Sequence, residues 1–337
     1  MRELIEILRR ELEEGRDTLM VNVISSSGSV PRGAGAKMLI GREGRIYGSI
    51  GGGALEYSAE KKAMELLEKK GFERKDFVLK ENQPEDLGMV CGGNVDLCFS
   101  YFSVKDQRMK EMLERTQKLY EEDRKIWFIM DLSDSSSFQM NFYSEDSGYI
   151  GERLDLDLSV FGNRRAIFLR EEKRSFYIEK ISEPGYVYIF GGGHVAQALV
   201  PVLHPLGFKP FVLENREEFC RAKLFRNLAK TLLIDFEKID DFMHIGKEDY
   251  VCIMSRGHKD DALLQAQVLR SPARYIGVIG SARKKASMMR ILREEGFEDQ
   301  DLLRIHSPIG IEIAAETPEE IAISIAAELI AERAKNR

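Results

Sequence analysis

The chain has 337 residues, of which 43% are hydrophobic and 31% charged, and this suits about two soluble globular domains with their own cores. The net charge is −6, and the basic residues are scattered among acidic ones, which argues against a nucleic-acid partner. The charged amphipathic start differs from a signal peptide, and apolar runs stay short of the roughly 18 residues that span a bilayer. The composition therefore predicts a cytoplasmic protein with no membrane span.

The N-terminal part has the pattern of an α+β domain. Apolar spacing indicates a helix over residues 2–14 that ends at Gly15, and a second helix from Ala54 to about Lys69. Alternating apolar residues indicate strands at 19–25, 37–40, 45–49, about 77–80 and 95–102, the second and third of which form a hairpin.

Three glycine-containing segments of this domain are candidate binding loops. The first has a rigid turn, a hydroxyl and a guanidinium that can bind a carboxylate or phosphate. The second precedes a helix and could form an anion nest, and the third places a cysteine thiolate in open backbone, within reach of a metal. The candidate residues are Ser29, Pro31, Arg32, Gly51, Gly52, Gly53, Cys91, Gly92 and Gly93. Each segment alone also fits an ordinary hairpin turn, helix entry or turn cysteine.

A middle region, about residues 106–183, follows. It begins with a helix over 106–122 and continues with short strands at 126–130, 138–142, 166–170 and 175–181, separated by acidic and serine-rich turns. The turn sequence Glu183-Pro184-Gly185 then predicts a linker. We therefore expect one domain over 1–183 and a second over 184–337.

The C-terminal part alternates strands and helices. Its predicted strands, at 186–190, 209–213, 231–234, 250–254 and 275–279, are almost continuously apolar, which is typical of a parallel sheet with helices on both faces. Pro201 predicts a short or kinked first helix, and Thr317 with Glu320 predicts a capping box on the last one.

The first turn of this part matches a dinucleotide-binding fingerprint. Gly191, Gly193 and Ala196 occupy its three small-residue positions, and His194 lies in its variable part, where it could pack over a ligand. Glu214 ends the second strand at about the 20-residue offset of a ribose-binding carboxylate. The pattern predicts a Rossmann-like domain that binds an anionic ligand.

Two further turns are expected at the same edge of the sheet. One contains Arg256 and His258, followed by Asp260 and Asp261, and the other contains Gly280 and Ser281, with Ser281 as a helix cap. His258 could act in acid–base chemistry or simply orient the turn; ligand contact fits it better, because no second catalytic partner is identifiable. The convergence of three turns favours a ligand that carries phosphate.

The four cysteines form neither a C-x-x-C pair nor a zinc-ligand cluster. Cys252 lies in an apolar strand and Cys220 in a helical pattern, so both are predicted to be small core residues. A reducing compartment without structural disulfides follows.

Taken as a set, the motifs resemble the xanthine dehydrogenase accessory factors of the XdhC/CoxI family, almost from end to end apart from the middle region. The motifs that carry the resemblance are Gly28-Ser29-Val30-Pro31-Arg32, residues 33–38, 48–56, Cys91-Gly92-Gly93, 190–196, Arg256-Gly257-His258, 279–281 and 307–320. The resemblance implies a maturation factor that binds molybdenum cofactor, a pterin dithiolene with a phosphate or nucleotide tail.

Our first hypothesis is thus a non-catalytic chaperone that protects sulfurated molybdopterin and delivers it to a xanthine-dehydrogenase-like molybdoenzyme, with Cys91 as a contact to molybdenum. A cysteine desulfurase as partner and a homodimer are left open. The alternative is an NAD(P)-dependent oxidoreductase, supported by Glu214 and weakened by the lack of an evident proton-relay pair. A pure scaffold protein is a third possibility.

Overall fold

The structure is a computed structural model that describes residues 1–79, 92–163, 166–182 and 185–335, without the side chains of residues 258, 259, 282 and 283. The chain divides into two compact units, Met1–Glu183 and Pro184–Arg337. Within the described ranges, no helix combines the length and the apolar character that crossing a bilayer requires.

The first unit begins with an antiparallel sheet of strand order β3-β2-β1-β5-β4, accompanied by two helices. Its elements are α1 (Arg2–Glu13), β1 (Thr18–Ser27), β2 (Lys37–Gly41), β3 (Gly44–Ser49), α2 (Gly53–Lys69), β4 (Phe72–Val78) and β5 (Asn94–Phe102). One face of α2 buries Leu55, Ala59 and Ala63 against apolar residues of the sheet. This packing places the start of α2 beside the loop that follows β3.

The middle region forms a second antiparallel sheet, of strand order β8-β7-β6-β10-β9. Its elements are α3 (Gln107–Glu121), β6 (Ile126–Asp131), β7 (Gln139–Ser144), β8 (Gly148–Ile150), β9 (Ile167–Arg170) and β10 (Ser175–Ser182), with a 3-10 helix at Leu158–Gly162. Apolar residues of both sheets join α1 and α3 in one core cluster. Buried Lys37 of β2 also binds Glu179 of β10, so the two sheets are linked by an ion pair.

The second unit is built on a parallel sheet of strand order β13-β12-β11-β14-β15-β16, which confirms the predicted Rossmann-like α/β class. Its elements are β11 (Val187–Phe190), α4 (His194–Leu203), β12 (Pro210–Glu214), β13 (Lys230–Leu233), β14 (Tyr250–Ile253), α5 (His258–Leu269), β15 (Tyr275–Val278), α6 (Ala282–Glu294), α7 (Asp299–Leu302), β16 (Ile305–His306) and α8 (Pro318–Lys335). Separate core clusters cover the sheet on its two faces.

Several local predictions are confirmed. The helix that contains Pro201 is only ten residues long, and Thr317 and Glu320 form reciprocal cap hydrogen bonds at the start of α8. Ser281 accepts a hydrogen bond from the backbone N–H of Lys284 and caps α6.

Other local predictions are wrong. Cys220 does not lie in a helix but between two 3-10 turns, Glu217–Phe219 and Ala222–Phe225, because the segment after β12 turns too tightly for an α-helix. β4 begins at Phe72 rather than near Phe77, since a strand at the edge of a sheet tolerates charged residues. The pattern also missed β8 and β16, which are three and two residues long.

Candidate functional site

The three predicted loops of the first unit meet at one surface. A Cβ built on Gly93 would lie 2.4 Å from the carbonyl oxygen of Ser29, and one built on Gly51 would lie 2.6 Å from Cβ of Pro31. Both are closer than real Cβ atoms approach their neighbours, so the segments at 28–32, 51–53 and 92–93 require glycine to pack together. We call this surface the N-terminal loop cluster. Cys91 lies outside the described residues.

The glycines before α2 expose their backbone. Gly51, Gly52 and Gly53 have φ values of 132°, 77° and 65°, a run of left-handed conformations that favours glycine. No described atom lies within 4 Å of a Cβ built on Gly52 or on Gly92. At Gly52 a ligand could therefore approach the main chain, and the start of α2 adds the positive end of a helix dipole.

A buried glutamate binds the backbone of this turn. Glu56 Oε2 accepts hydrogen bonds from the backbone N–H groups of Ile50 (2.9 Å) and Gly52 (3.1 Å) and from Ser49 Oγ (2.6 Å). Arg45 pairs with its other oxygen. Burial alone would raise the pKa of Glu56, but these donors and Arg45 prevail and lower it to about 2. The carboxylate therefore stays ionised and consumes two of the amides that an anion nest would need.

The polar residues of the cluster are accessible. Ser29, Pro31 and Arg32 are exposed, and Arg32 Nη1 donates to the carbonyl oxygen of Ser49 at 3.1 Å. This hydrogen bond ties the loop after β1 to the end of β3. The guanidinium is thereby fixed at the rim of the cluster, where its planar fork suits a carboxylate or phosphate.

In the second unit, the fingerprint turn lies between β11 and α4, at the carboxyl end of the parallel sheet, as predicted. A Cβ on Gly191 would lie 2.5 Å from the carbonyl oxygen of Met254, and one on Gly192 would lie 2.1 Å from that of Phe219. At Gly193, in contrast, no described atom lies within 4 Å of the Cβ position. Gly193 is thus the open position, and the fully buried Ala196 packs α4 on the sheet.

Glu214 ends β12 as predicted, but its carboxylate is bound by its own chain. It accepts hydrogen bonds from the Gly192 N–H at 2.8 Å and from Arg216 Nε and Nη2 at 3.1 and 2.9 Å. The side chain is 1% exposed, and although burial opposes ionisation, Arg216 and the Gly192 N–H lower its pKa. A ribose hydroxyl would have to displace one of these donors.

Beside Glu214 lies a cavity of about 190 Å³ that is lined by residues from three strand ends: Glu214, Asn215, Arg216, Phe236, Arg256 and Asp260. The Arg216 guanidinium lies 4.1 Å from the ring of Phe219, which holds it in place. Arg256 is exposed at the rim. The lining thus combines two guanidinium groups, one of them paired with Glu214, with the carboxylates of Glu214 and Asp260, while Phe236 offers an apolar surface.

A second buried carboxylate joins the remaining two turns. Asp261, fully buried in α5, accepts a hydrogen bond from Ser255 Oγ at 2.5 Å and pairs with Lys284 of α6. The Lys284 side chain in turn packs against Gly280, with its Cδ 3.0 Å from the position of a Cβ. The turns after β14 and β15 are therefore held together, as predicted. His194 is exposed, and the side chain of His258 lies outside the described part of the chain.

The described cysteines are poor thiolate candidates. Burial raises the pKa of Cys98 to about 12, and it also raises the pKa values of Cys220 and Cys252 above their ordinary range. In the part of the chain that the structure describes, no group of three or more His, Cys, Asp or Glu side chains could hold a metal ion.

The residue patterns did not reveal the roles of Glu56, Asp261 and Arg216. A signal existed for Glu56, since an acid in the first turn of a helix is typical of side chains that interact with the helix start. For Asp261 the partner Lys284 comes from another helix, so local spacing carried no comparable signal, whereas Arg216 pairs with Glu214 only two residues before it.

Comparison with known families identifies both units. The description "XdhC Rossmann domain" matches residues 187–329, and "XdhC and CoxI family" matches residues 11–77. The two matches include the loops at 28–32 and 51–53 and all three turns of the second unit.

Individual relatives are similar over almost the whole chain. A Bacillus subtilis (strain 168) protein, 21% identical over 96% of this chain and 95% of its own length, has the name of a probable xanthine dehydrogenase subunit. PaoD of Escherichia coli (strain K12), named a molybdenum cofactor insertion chaperone, is 22% identical over 98% of this chain and 88% of its own length. YqeB of the same strain is 24% identical over 92% of this chain, which spans 42% of the YqeB length.

A solved structure has the same fold. The crystal structure of a Bacillus halodurans protein named as a xanthine dehydrogenase superposes with a TM-score of 0.81 at 25% identity, covering 99% of this chain and 96% of that one.

Proposed function

The chain belongs to the XdhC and CoxI family, and we propose that it is a maturation factor that binds molybdenum cofactor and passes it to a xanthine-dehydrogenase-type molybdoenzyme. The relatives support a maturation role, because one has the name of a xanthine dehydrogenase subunit, while another is named a molybdenum cofactor insertion chaperone. Protection and delivery of the sulfurated form of the cofactor, and a cysteine desulfurase as its source of sulfur, are further parts of the proposal.

The observation that carries the proposal is the open main chain at Gly193, at the same edge of the sheet as the Arg216 and Arg256 guanidinium groups. Gly191 and Gly192 are closed by neighbouring backbone, so Gly193 is where an anionic group can come close to the N-terminus of α4. Arg216 and Arg256 line the adjacent cavity. The phosphate or nucleotide tail of the cofactor fits this combination of helix dipole, amide and guanidinium.

Within the first unit, the N-terminal loop cluster is a separate candidate surface for the cofactor. Arg32 and Ser29 offer donors to the polar edge of a pterin, and the free space beside Gly52 lets the ligand approach the main chain. Cys91, adjacent to Gly92, is the proposed thiol contact to molybdenum. When bound, the cofactor supplies the metal that the client enzyme needs, whereas the residues of this chain bind, orient and shield it.

The NAD(P)-dependent alternative depends on Glu214 as a ribose ligand. Because that carboxylate is already bound by the Gly192 N–H and by the Arg216 guanidinium, the geometry favours an anion over a ribose diol beside it. The two hypotheses therefore differ in which ligand the second unit retains.

An activation assay tests the proposal. Gly193→Asp places a carboxylate where the anion would bind, so a cofactor-incubated variant should activate an apo molybdoenzyme at least roughly tenfold less than the wild type. Gly162→Asp is the matched control, because Gly162 also has open space around its Cβ and an ordinary φ. Equal activation by both variants, each folded by circular dichroism, would contradict the proposal.

The role of Cys91 has its own test. Cys91→Ser should lower client activation while the melting temperature stays within a few degrees of the wild type, because the exchange of sulfur for oxygen changes little volume. Cys220→Ser is the control, since that thiol is only partly buried and its pKa is raised. If Cys91→Ser activates a client as well as the wild type does, the cysteine is not a contact to the cofactor.

A further inference from the structure

The start of α6 has positive side chains where a helix normally has negative ones. Because the N–H groups of a helix start favour negative charge, α5 and α8 each have two acidic residues in their first turn. The first turn of α6 has no acidic residue, and its sequence after Ala282 is Arg283-Lys284-Lys285. Basic residues at this position weaken the helix itself, and departures from local preference of this kind are expected at functional sites.

Lys284 is held by a carboxylate of the neighbouring helix. It pairs with the fully buried Asp261, which lies in the first turn of α5, and the lysine side chain is itself only 22% exposed. Its Cδ also packs against the turn between β15 and α6, where a Cβ built on Gly280 would lie 3.0 Å away. The charge of Lys284 is therefore fixed between the starts of two helices.

The same carboxylate is linked to the fingerprint turn. Asp261 accepts a hydrogen bond from Ser255 Oγ at 2.5 Å. A Cβ built on Gly191 would lie 3.2 Å from Cα of Ser255, so this serine packs directly against the turn that leads into α4. Asp261 is thus separated by one residue from the turn that contains Gly193, and because its charge is buried, water screens it poorly.

Two buried carboxylates at this edge of the sheet each have a cation as partner. Glu214 pairs with Arg216, and Asp261 pairs with Lys284. Without Lys284, Asp261 would be an uncompensated negative charge close to Gly193 and would repel a phosphate there. With Lys284 in place, the charges cancel, and the N–H groups of the helix starts can attract an anion.

We propose that Lys284 determines the specificity of the second unit for anionic ligands, because it neutralises Asp261 beside the site at Gly193. The inference rests on the proposed function for the position of the site, but it applies to any ligand that presents phosphate there. Lys284 acts through Asp261 and is not itself required to contact the ligand. The two partners of the ion pair should therefore have opposite effects on anion affinity, whereas a role in packing alone would give both the same sign.

Equilibrium dialysis of the full chain against inorganic pyrophosphate and, in parallel, against molybdenum cofactor tests the proposal. Lys284→Met should bind at least roughly tenfold more weakly than the wild type, because the charge of Asp261 then acts on the ligand. Asp261→Asn should bind about threefold or more tightly, because the charge of Lys284 is then uncompensated. The double variant Lys284→Met/Asp261→Asn has neither charge and should return to within about threefold of the wild type.

Lys285→Met is the matched control. Lys285 is the next residue of α6 and is also half-buried, so the exchange removes the same charge from the same helix start but leaves the pair with Asp261 intact. Its affinity should stay within about threefold of the wild type. Circular dichroism checks the fold of each variant; if Lys284→Met does not fold, the direction of the change in Asp261→Asn decides.

The order of the variants is compared with whichever probe the wild type binds. Weaker binding by both single variants would show a packing role and overturn the proposal, as would an equal loss in Lys285→Met and Lys284→Met. A wild type that binds neither probe would overturn it as well. A wild type that binds pyrophosphate but not the cofactor, with the expected order of variants, would refute the proposed function and support the role of Lys284.

Discussion

The two units each contain a turn from a strand through three glycines into a helix, and each turn is held by a buried glutamate and an arginine. In the first unit Glu56 comes from the helix that the turn begins and binds the N–H of Gly52. In the second, Glu214 comes from the neighbouring strand and binds the N–H of Gly192. The same device is thus built once from local sequence and once across the sheet.

The difference determines which glycine stays open. In the first unit, Gly52 has free space around its Cβ position, but its N–H already donates a hydrogen bond to the Glu56 carboxylate. In the second unit the carboxylate binds Gly192, which is closed in by Phe219, and leaves Gly193 open with its backbone unused by that carboxylate. The second turn is therefore better suited to an anion, and the first to shaping a surface.

The largest expected effect on stability distinguishes Gly192, which has no room for a Cβ, from Gly193, which has free space around its Cβ position. Gly192→Ala would place its Cβ 2.1 Å from the carbonyl oxygen of Phe219, so the backbone must move and we expect a loss of roughly 2–3 kcal/mol in the free energy of unfolding. Gly193→Ala, at a position with ordinary φ, should change it by less than about 1 kcal/mol. Urea denaturation of both variants checks this, and equal losses would show that the contact with Phe219 is not the cause.

A comparable effect, dependent on pH, concerns Glu56. Its pKa in the folded state, about 2, lies below the ordinary value of 4.5, so its stabilisation is complete above pH 4.5 and is lost as the pH falls through 2. Glu56→Gln should therefore cost on the order of 2–3 kcal/mol at pH 7, and the difference from the wild type should shrink in acid.

Glu60→Gln is the control for that measurement, because Glu60 also contacts Arg45, at 3.2 Å, but is partly exposed. Its loss should stay below about 1 kcal/mol. Denaturation curves from pH 7 to pH 2 that keep a constant gap between Glu56→Gln and the wild type would show that the carboxylate charge does not hold the turn.

The smallest expected effect is at Gly52. Since its φ is 77° and there is free space around its Cβ in the described structure, Gly52→Ala meets backbone strain but no collision and should cost about 1 kcal/mol. The comparison with Gly51→Ala, whose Cβ would lie 2.6 Å from Pro31, sharpens the contrast. Thermal melts in which the two variants match would indicate that strain, not packing, dominates in this turn.

Much of the fold could be predicted from sequence because its signals are local. Almost continuous apolar runs indicated the five longer parallel strands, and capping residues such as Ser281 and Thr317 marked helix starts. The two-residue β16 had no such signal, since it is a strand only through its pairing with β15. The same holds for β8, which pairs with β7 over three residues.

The candidate site also contains some residues whose roles were predictable from local sequence and others whose roles were not. Glycine positions such as Gly193 were predictable because turn geometry restricts the residue type. The occupation of Glu214 by Arg216 was not, because a carboxylate at that offset looks the same whether it is free or bound. Asp261 likewise acquires its role from Ser255, six residues earlier, and from Lys284, which the fold brings to it from α6.

Equilibrium dialysis against molybdenum cofactor and, separately, against NADH tests the central claim most directly. We predict that the wild type retains pterin and molybdenum in equal amounts, that Gly193→Asp retains at least roughly tenfold less, and that Gly162→Asp behaves as the wild type. Retention of NADH but not of pterin would contradict the cofactor-binding account and favour the oxidoreductase.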